Sequence, residues 1–135
     1  MSLRSLRKFW RQSNGTATVE TVLWFPLFIA IFGLMLDVAM IFHGRAKILE
    51  VVQDGNRELS IGRLANSDAT ETYIETTLAN LGIAAVADAT PDSRGIVRTV
   101  VTVPAAQLQV LGYFTAFSNL NVRVSAEQVI EYWEG

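Results

Sequence analysis

The chain has 135 residues, no cysteine and a formal net charge of -2 at pH 7, which leaves room for one small domain and excludes both a disulfide framework and a thiol nucleophile. Its charge is unevenly divided, because residues 1–15 carry four basic and no acidic residues, whereas the remainder carries seven basic and thirteen acidic ones. The acidic body argues against a nucleic-acid partner, and the basic leader suits anionic lipid instead.

A long apolar run follows the leader. Residues 21–36 carry no charge, and beyond the acid Asp37 the apolar character continues through Phe42. A helix of about 22 residues, at about 1.5 Å per residue, is long enough for a hydrocarbon layer of about 30 Å. A buried core helix is the alternative, but so small a domain could hardly surround large apolar side chains on every side. The run predicts a transmembrane helix over residues 16–42, and the leading cations predict a cytoplasmic N-terminus.

The run is longer than the apolar region of a cleaved secretory signal, so removal behind it is not expected. Pro26 lies one turn inside the run and deprives the carbonyl of Val22 of its helical partner. A membrane helix tolerates this by kinking or by packing against a neighbour. Proline is also ordinary in membrane helices, so the pattern leaves both interpretations of Pro26 open.

The junction between leader and run has its own order: Gly15, the patch "TATVE", then the apolar residues from Val22. In this order the chain resembles type IV pilin-like precursors, which a membrane prepilin peptidase cuts after the glycine. The resemblance implies a prepilin leader over residues 1–15, with Thr16 as the first residue of the mature chain and Glu20 as its fifth.

Residues 12–63 further resemble the TadE/TadF family, the minor pseudopilins of tight adherence (Flp) pilus systems. The features that match are Gly15, Glu20, Pro26, Asp37, Gln53 and Arg57. The resemblance implies that Pro26 and Asp37 serve helix packing and assembly. The length favours a minor component over a major Flp pilin, while these residues do not separate TadE from TadF. Thr21 departs from the family, which often has an aromatic residue there.

Glu20 lies at the edge of the predicted membrane span, where a carboxylate needs a partner or must reach the headgroups. Cleavage after Gly15 would give Thr16 a cationic amine that could pair with Glu20, within one chain or between neighbours. Such a pair would fix the axial register of packed helices. The alternative is that Glu20 only extends to the cytoplasmic headgroups.

Beyond the membrane exit a helical period that starts at Ile41 continues over residues 43–64. Its next apolar positions are Ile48, Val52, Gly55 and Leu59. The stretch "QDGN" at residues 53–56 offers an alternative, since Asp-Gly favours turns. We expect the helix to continue to about Arg63 as a stalk. A second helix is predicted from Asp68 as N-cap, with Glu71 three residues later, to Gly82.

Three segments rich in β-branched residues, at residues 83–89, 95–103 and 121–133, predict an antiparallel sheet. The segment 104–120 is crowded with apolar residues. It fits a short helix on the core side of the sheet, or a docking loop at the outer surface of the membrane or against a co-pilin. The docking candidates are Leu111, Tyr113, Phe114 and Phe117.

The predicted fold is therefore α+β and pilin-like: a long N-terminal transmembrane helix extended as a stalk, a second short helix and a small three-stranded antiparallel sheet. Residues 65–135 form the predicted extracytoplasmic head. His43, the only histidine, lies at the membrane exit without a nucleophile motif, and no metal cluster or phosphate loop occurs. We expect no catalysis, cofactor or small-molecule substrate.

The resemblance implies a bacterial inner-membrane protein that takes part in pilus assembly. Its implied partners are the membrane, the prepilin peptidase, other TadE/TadF-like pseudopilins, the major Flp pilin and the pilus platform. The rival hypothesis is a signal-anchored binding or adhesion protein whose helix is only a tether.

Overall fold

The computed structural model describes residues 14–112 and 119–131, with side chains from residue 18 onward. Two α-helices, α1 (Asn14–Ser60) and α2 (Ser67–Asn80), precede the strands in this part of the chain. The strands are β1 (Val86–Pro91), β2 (Ile96–Pro104) and β3 (Asn121–Val129), with a short 3-10 turn at Ala105–Gln107. This architecture confirms the predicted α+β fold. The chain divides into two units at the boundary between Met35 and Leu36.

In the first unit, α1 exposes its side chains in every direction. All side chains from Thr18 to Phe32 are exposed, including Trp24, Phe25 and Phe28. By length and composition, α1 is apolar and long enough to cross a membrane. An apolar helix with no polar face is stable only where lipid or other apolar helices surround it. The composition of this unit therefore fits a membrane environment.

In the second unit, the sheet has the strand order β1-β2-β3 with both pairs antiparallel. Val101 at the centre of β2 lies between Ala87 of β1 and Val124 of β3, and all three are buried. Along β2 every second side chain is buried, as the period of a half-buried strand requires: Val97, Thr99, Val101 and Val103. One face of the sheet therefore lies against the helices.

The core forms where α1 and α2 cover that face. Ile48 and Val52 of α1, and Ile74 and Leu78 of α2, are completely buried in the same cluster as Val101. Each such side chain contributes about 1.5–3 kcal/mol when it leaves water. The second half of α1 is thus part of the core of this unit.

The stretch "QDGN" does not interrupt α1, which continues to Ser60. Gly55 is buried where α1 meets α2, and a Cβ atom there would lie 2.6 Å from Cγ1 of Ile74. The glycine therefore serves close helix packing. This confirms the predicted continuity, although the helix ends three residues before Arg63.

The start of α2 differs from the prediction. Asn66 is the N-cap, and its Oδ1 accepts a hydrogen bond from the backbone N–H of Ala69 at 2.9 Å. Asp68 lies inside the first turn instead, so its prediction as N-cap was wrong. Gly82, with φ +80°, follows the helix end as predicted, because the left-handed conformation favours glycine.

Two glutamates of α2 cover the outer edge of β1. Oε1 of Glu75 accepts from the N–H of Ala87 at 2.9 Å, and Oε1 of Glu71 accepts from the N–H of Ala89 at 2.8 Å. These residues are one turn apart on α2 and two apart on β1, so both bonds form on one side. Glu71 is therefore occupied at the sheet edge rather than at the cap.

Candidate assembly site along the first helix

The predicted processing junction lies in the first turns of α1. The helix begins at Asn14, so the peptide bond between Gly15 and Thr16 is within its first turn. Glu20 follows Thr16 by four residues, about one helical turn, and its side chain is exposed. This spacing lets an amine on Thr16 and the Glu20 carboxylate lie on the same side of the helix.

Pro26 lies within α1, and the helix passes through it without a break. Its side chain is exposed, like those of the residues around it. Proline removes one backbone donor from the helix. The structure thus places Pro26 on the apolar surface of the first unit, where a role in helix packing stays a prediction.

Asp37 is the unusual residue of α1, because its side chain is completely buried although it belongs to an apolar stretch. Its Oδ1 accepts two backbone hydrogen bonds, from the N–H of Val110 at 3.1 Å and from the N–H of Leu111 at 2.8 Å. A carboxylate that binds successive backbone N–H groups fixes a loop more strongly than a neutral acceptor would. Asp37 therefore holds the residues that follow the 3-10 turn against α1.

A second contact fixes the same loop to α1. Gly44 is buried under Leu108, and a Cβ atom at Gly44 would lie 2.7 Å from Cδ2 of Leu108. Gly44 and Asp37 are seven residues apart, a rise of about 10 Å along a helix. Residues 108–112, called the clipped loop below, therefore run along α1 from Gly44 to Asp37.

The clipped loop carries an exposed apolar surface. Val110 is 58% exposed and Leu111 is 43% exposed, and Leu120, just before β3, is 53% exposed. Of the predicted docking residues, the structure brings Leu111 together with Asp37. Tyr113, Phe114 and Phe117 lie outside the described residues.

Polar residues that the sequence pattern does not predict fasten α1 to β3. Asn56 is completely buried; its Nδ2 donates to the carbonyl of Ala126 at 3.3 Å, and its Oδ1 accepts from the hydroxyl of Thr99. One turn later, the hydroxyl of Ser60 donates to the carbonyl of Val129 at 2.7 Å. Buried polar groups need such partners. In the sequence, the only local sign of these contacts is that Asn56 and Ser60 are polar residues on the apolar face of α1.

A further polar contact joins the helices. The Tyr73 hydroxyl donates to Oδ2 of Asp54 at 2.6 Å. This hydrogen bond to a carboxylate, helped by burial, raises the pKa of Tyr73 above its ordinary value. The bond favours the neutral phenol and ties α2 to α1 on the exposed side.

An open groove of about 1180 Å³ lies between α1 and β3. Side chains of both charge signs line it: the basic Lys47 and Arg57, and the acidic Glu50, Asp54, Glu127 and Glu131. Over residues 14–112 and 119–131, no group of three or more histidine or acidic side chains is placed to hold a metal ion. His43 is exposed on α1.

No curated protein and no solved structure matches the chain. Residues 15–57 match the family model described as TadE-like protein. The matched range begins at Gly15, which precedes the predicted cleavage point, and includes Glu20, Pro26 and Asp37. It covers about a third of the chain and most of α1. Residues 15–57 are thus similar to TadE-like proteins, which agrees with the family resemblance seen in the sequence.

Proposed function

We propose that this protein is a minor pseudopilin that takes part in the assembly of a tight adherence pilus. The observation that carries the proposal is the TadE-like match over residues 15–57. The family is structural rather than catalytic. Assembly would use the junction at Gly15 for processing and the apolar part of α1 for helix packing. The head, residues 65–135, would follow outside the matched segment.

The exposed apolar surface of α1 supports a membrane location. Side chains from Thr18 to Phe32 contact no core of their own. Lipid covers such a surface before assembly, and neighbouring pilin helices can replace lipid during assembly. We place the basic leader in the cytoplasm and the head, residues 65–135, outside the cytoplasm. The proposed setting is the bacterial inner membrane.

The proposed processing step is cleavage after Gly15 by a prepilin peptidase. It would remove four basic residues and leave a helix that begins with the amine of Thr16. Glu20 would then lie in the second turn, one turn away from that amine on the same side of the helix. The amine and the carboxylate become complementary only after the cut. Partners would be other TadE/TadF-like pseudopilins, the major Flp pilin and the pilus platform.

Mass spectrometry of the full chain, purified from membranes of cells that contain the peptidase, tests this step. We expect a mature chain that begins at Thr16. Gly15→Leu should retain Met1, whereas the matched control Ser13→Ala, two residues upstream, should be cut normally. An intact N-terminus in the unmodified chain would contradict the processing step and favour a signal-anchored binding or adhesion protein.

A further inference from the structure

We propose that the clipped loop, residues 108–112, lies in the outer leaflet of the membrane and contacts lipid, with Asp37 holding its backbone at that depth. The inference rests on the proposed function, because it takes α1 to be the membrane-spanning helix. It adds a second membrane contact, made by the head itself, to the anchor that the helix supplies.

The position of Asp37 on α1 sets the depth of the loop. Asp37 directly follows the uncharged residues 21–36, and the apolar run ends at Phe42. Five residues of helix rise about 7–8 Å, so Asp37 lies about that far inside the end of the run. Because its carboxylate bonds the N–H groups of Val110 and Leu111, these residues share its depth. The contact of Leu108 with Gly44 marks where the loop enters.

Backbone polar groups are the main obstacle to placing such a loop in lipid. Residues 109–112 are neither helix nor strand, so their N–H groups lack ladder partners. An unpaired N–H costs several kcal/mol in hydrocarbon, and irregular backbone is found at that depth only where protein groups satisfy it. Oδ1 of Asp37 accepts from the two successive N–H groups of Val110 and Leu111. The loop in return buries the carboxylate, which would be costly if it faced lipid alone. Oδ2 of Asp37 is buried without a hydrogen-bond partner among the described residues.

The side chains that the loop exposes, Val110 and Leu111, are apolar, as is the exposed Leu120 just before β3, whereas the polar Gln109 is half-buried. No charged residue occurs anywhere from Thr99 to Val122. An exposed loop in water ordinarily carries charged residues among its apolar ones. One tyrosine and two phenylalanines at positions 113, 114 and 117 continue the uncharged stretch, and aromatic residues are enriched where membranes meet water. Lipid suits this surface without any partner protein.

Fluorescence quenching in vesicles tests the inference, and the lack of native cysteine makes single-cysteine labelling direct. Three single-cysteine variants of the full chain are made: Leu111→Cys, Phe32→Cys in the proposed span, and Ser93→Cys. Each is labelled at its cysteine with an environment-sensitive fluorophore. Ser93 lies in the turn between β1 and β2. In the same turn, the carbonyl of Gly95 accepts a hydrogen bond from the N–H of Ile130, which follows β3. Each variant is reconstituted in phosphatidylethanolamine and phosphatidylglycerol vesicles, with or without nitroxide on the acyl chains.

We expect nitroxide lipids to quench the probe at Leu111 about as strongly as the probe at Phe32, and several-fold more strongly than the probe at Ser93. Quenching at Phe32 with none at Leu111 would overturn the inference and leave the membrane span intact. A loop shielded only by a co-pilin would give that same result in vesicles holding the chain alone. Absence of quenching at all three positions would instead overturn the membrane span.

A second variant tests the role assigned to Asp37. Asp37→Ala, combined with the Leu111 probe, should reduce quenching by acyl-chain nitroxides several-fold, because the N–H groups would leave lipid once their acceptor is gone. The same change combined with the Phe32 probe should leave quenching unchanged, which also controls for loss of insertion. Unchanged quenching at Leu111 in the Asp37→Ala chain would overturn the holding role.

Discussion

Single residues of this chain combine packing with polar contacts that no local pattern reveals. Asp37, Asn56 and Ser60 all lie on α1, and each bonds the backbone of a segment far along the chain. Their partners are about seventy residues away in sequence. Since each bond is buried or partly buried, loss of one partner leaves an unpaired group at a cost of about 1–3 kcal/mol. These residues fix the part of α1 from Leu36 onward within the second unit.

The Tyr73 hydroxyl gives the fold a pH dependence in the alkaline range. Its pKa is raised in the folded state, above the ordinary value of 10.0, by its bond to Asp54. The bond is fully present below pH about 10, and the stability it adds is lost as pH rises through the raised pKa, because the unfolded chain ionises first. Urea unfolding of the full chain in detergent should show this loss, and Tyr73→Phe should show a flatter profile. Equal slopes in both proteins would contradict the assignment.

At the scale of helices and strands, the sequence predicts some features of the fold and misses others. The continuity of α1 and the three strands follow from local periodicity, which burial along β2 confirms. The N-cap of α2 was predicted wrongly, because Asn66 and Asp68 are both good caps and the spacing from Asp68 to Glu71 imitates a capping box. Glu71 is instead used by Ala89 of β1, a contact between elements that spacing along the chain cannot show.

The pair formed by α1 and α2 depends on Gly55. Glycine costs about 1 kcal/mol relative to alanine in an ordinary helix interior, so a larger residue would stabilise an isolated helix. Here a Cβ atom would lie 2.6 Å from Cγ1 of the buried Ile74, and overpacking of this kind costs about 1–3 kcal/mol. Gly55→Val should therefore lower the midpoint of thermal unfolding, followed by circular dichroism of the full chain in detergent.

The matched control for this variant is Gln53→Val, which places the same side chain at an exposed position of α1. It should change the midpoint little. If the clash is the cause, adding Ile74→Ala to Gly55→Val should cost less than Ile74→Ala costs in the unmodified chain, because the two changes share one contact. Strict additivity would show that the contact is not the source of the effect.

At the scale of the whole molecule, the sequence predicts the residues of the candidate site but not all of their contacts in the fold. Gly15, Glu20, Pro26 and Asp37 stand out because their order along the chain resembles a family pattern, and the TadE-like match covers them. The meeting of Asp37 with Leu111 depends on how the chain folds back after the sheet, which no spacing records. The roles of Gly15, Thr16 and Glu20 in processing, and of Leu111 in docking, stay predictions.

Assembly supplies the test of Glu20. In the proposed function Glu20→Ala leaves insertion intact, since loss of a carboxylate makes a membrane segment less polar. It should reduce recovery of pilus partners with the full chain by about tenfold, the factor expected for loss of one charge-assisted hydrogen bond. Glu50→Ala, a change of an exposed acid elsewhere on α1, should leave recovery unchanged. Equal recovery from both variants would contradict the pairing of Glu20 with an amine.

The spread of contacts along α1 has a mechanical consequence. Within the second unit, α1 is attached at Asp37, Gly44, Asn56 and Ser60, as well as through the buried Ile48 and Val52. A pull along the helix axis therefore loads these attachments together instead of peeling them one after another. We therefore expect such a chain to resist extraction better than one whose head is joined at a single point.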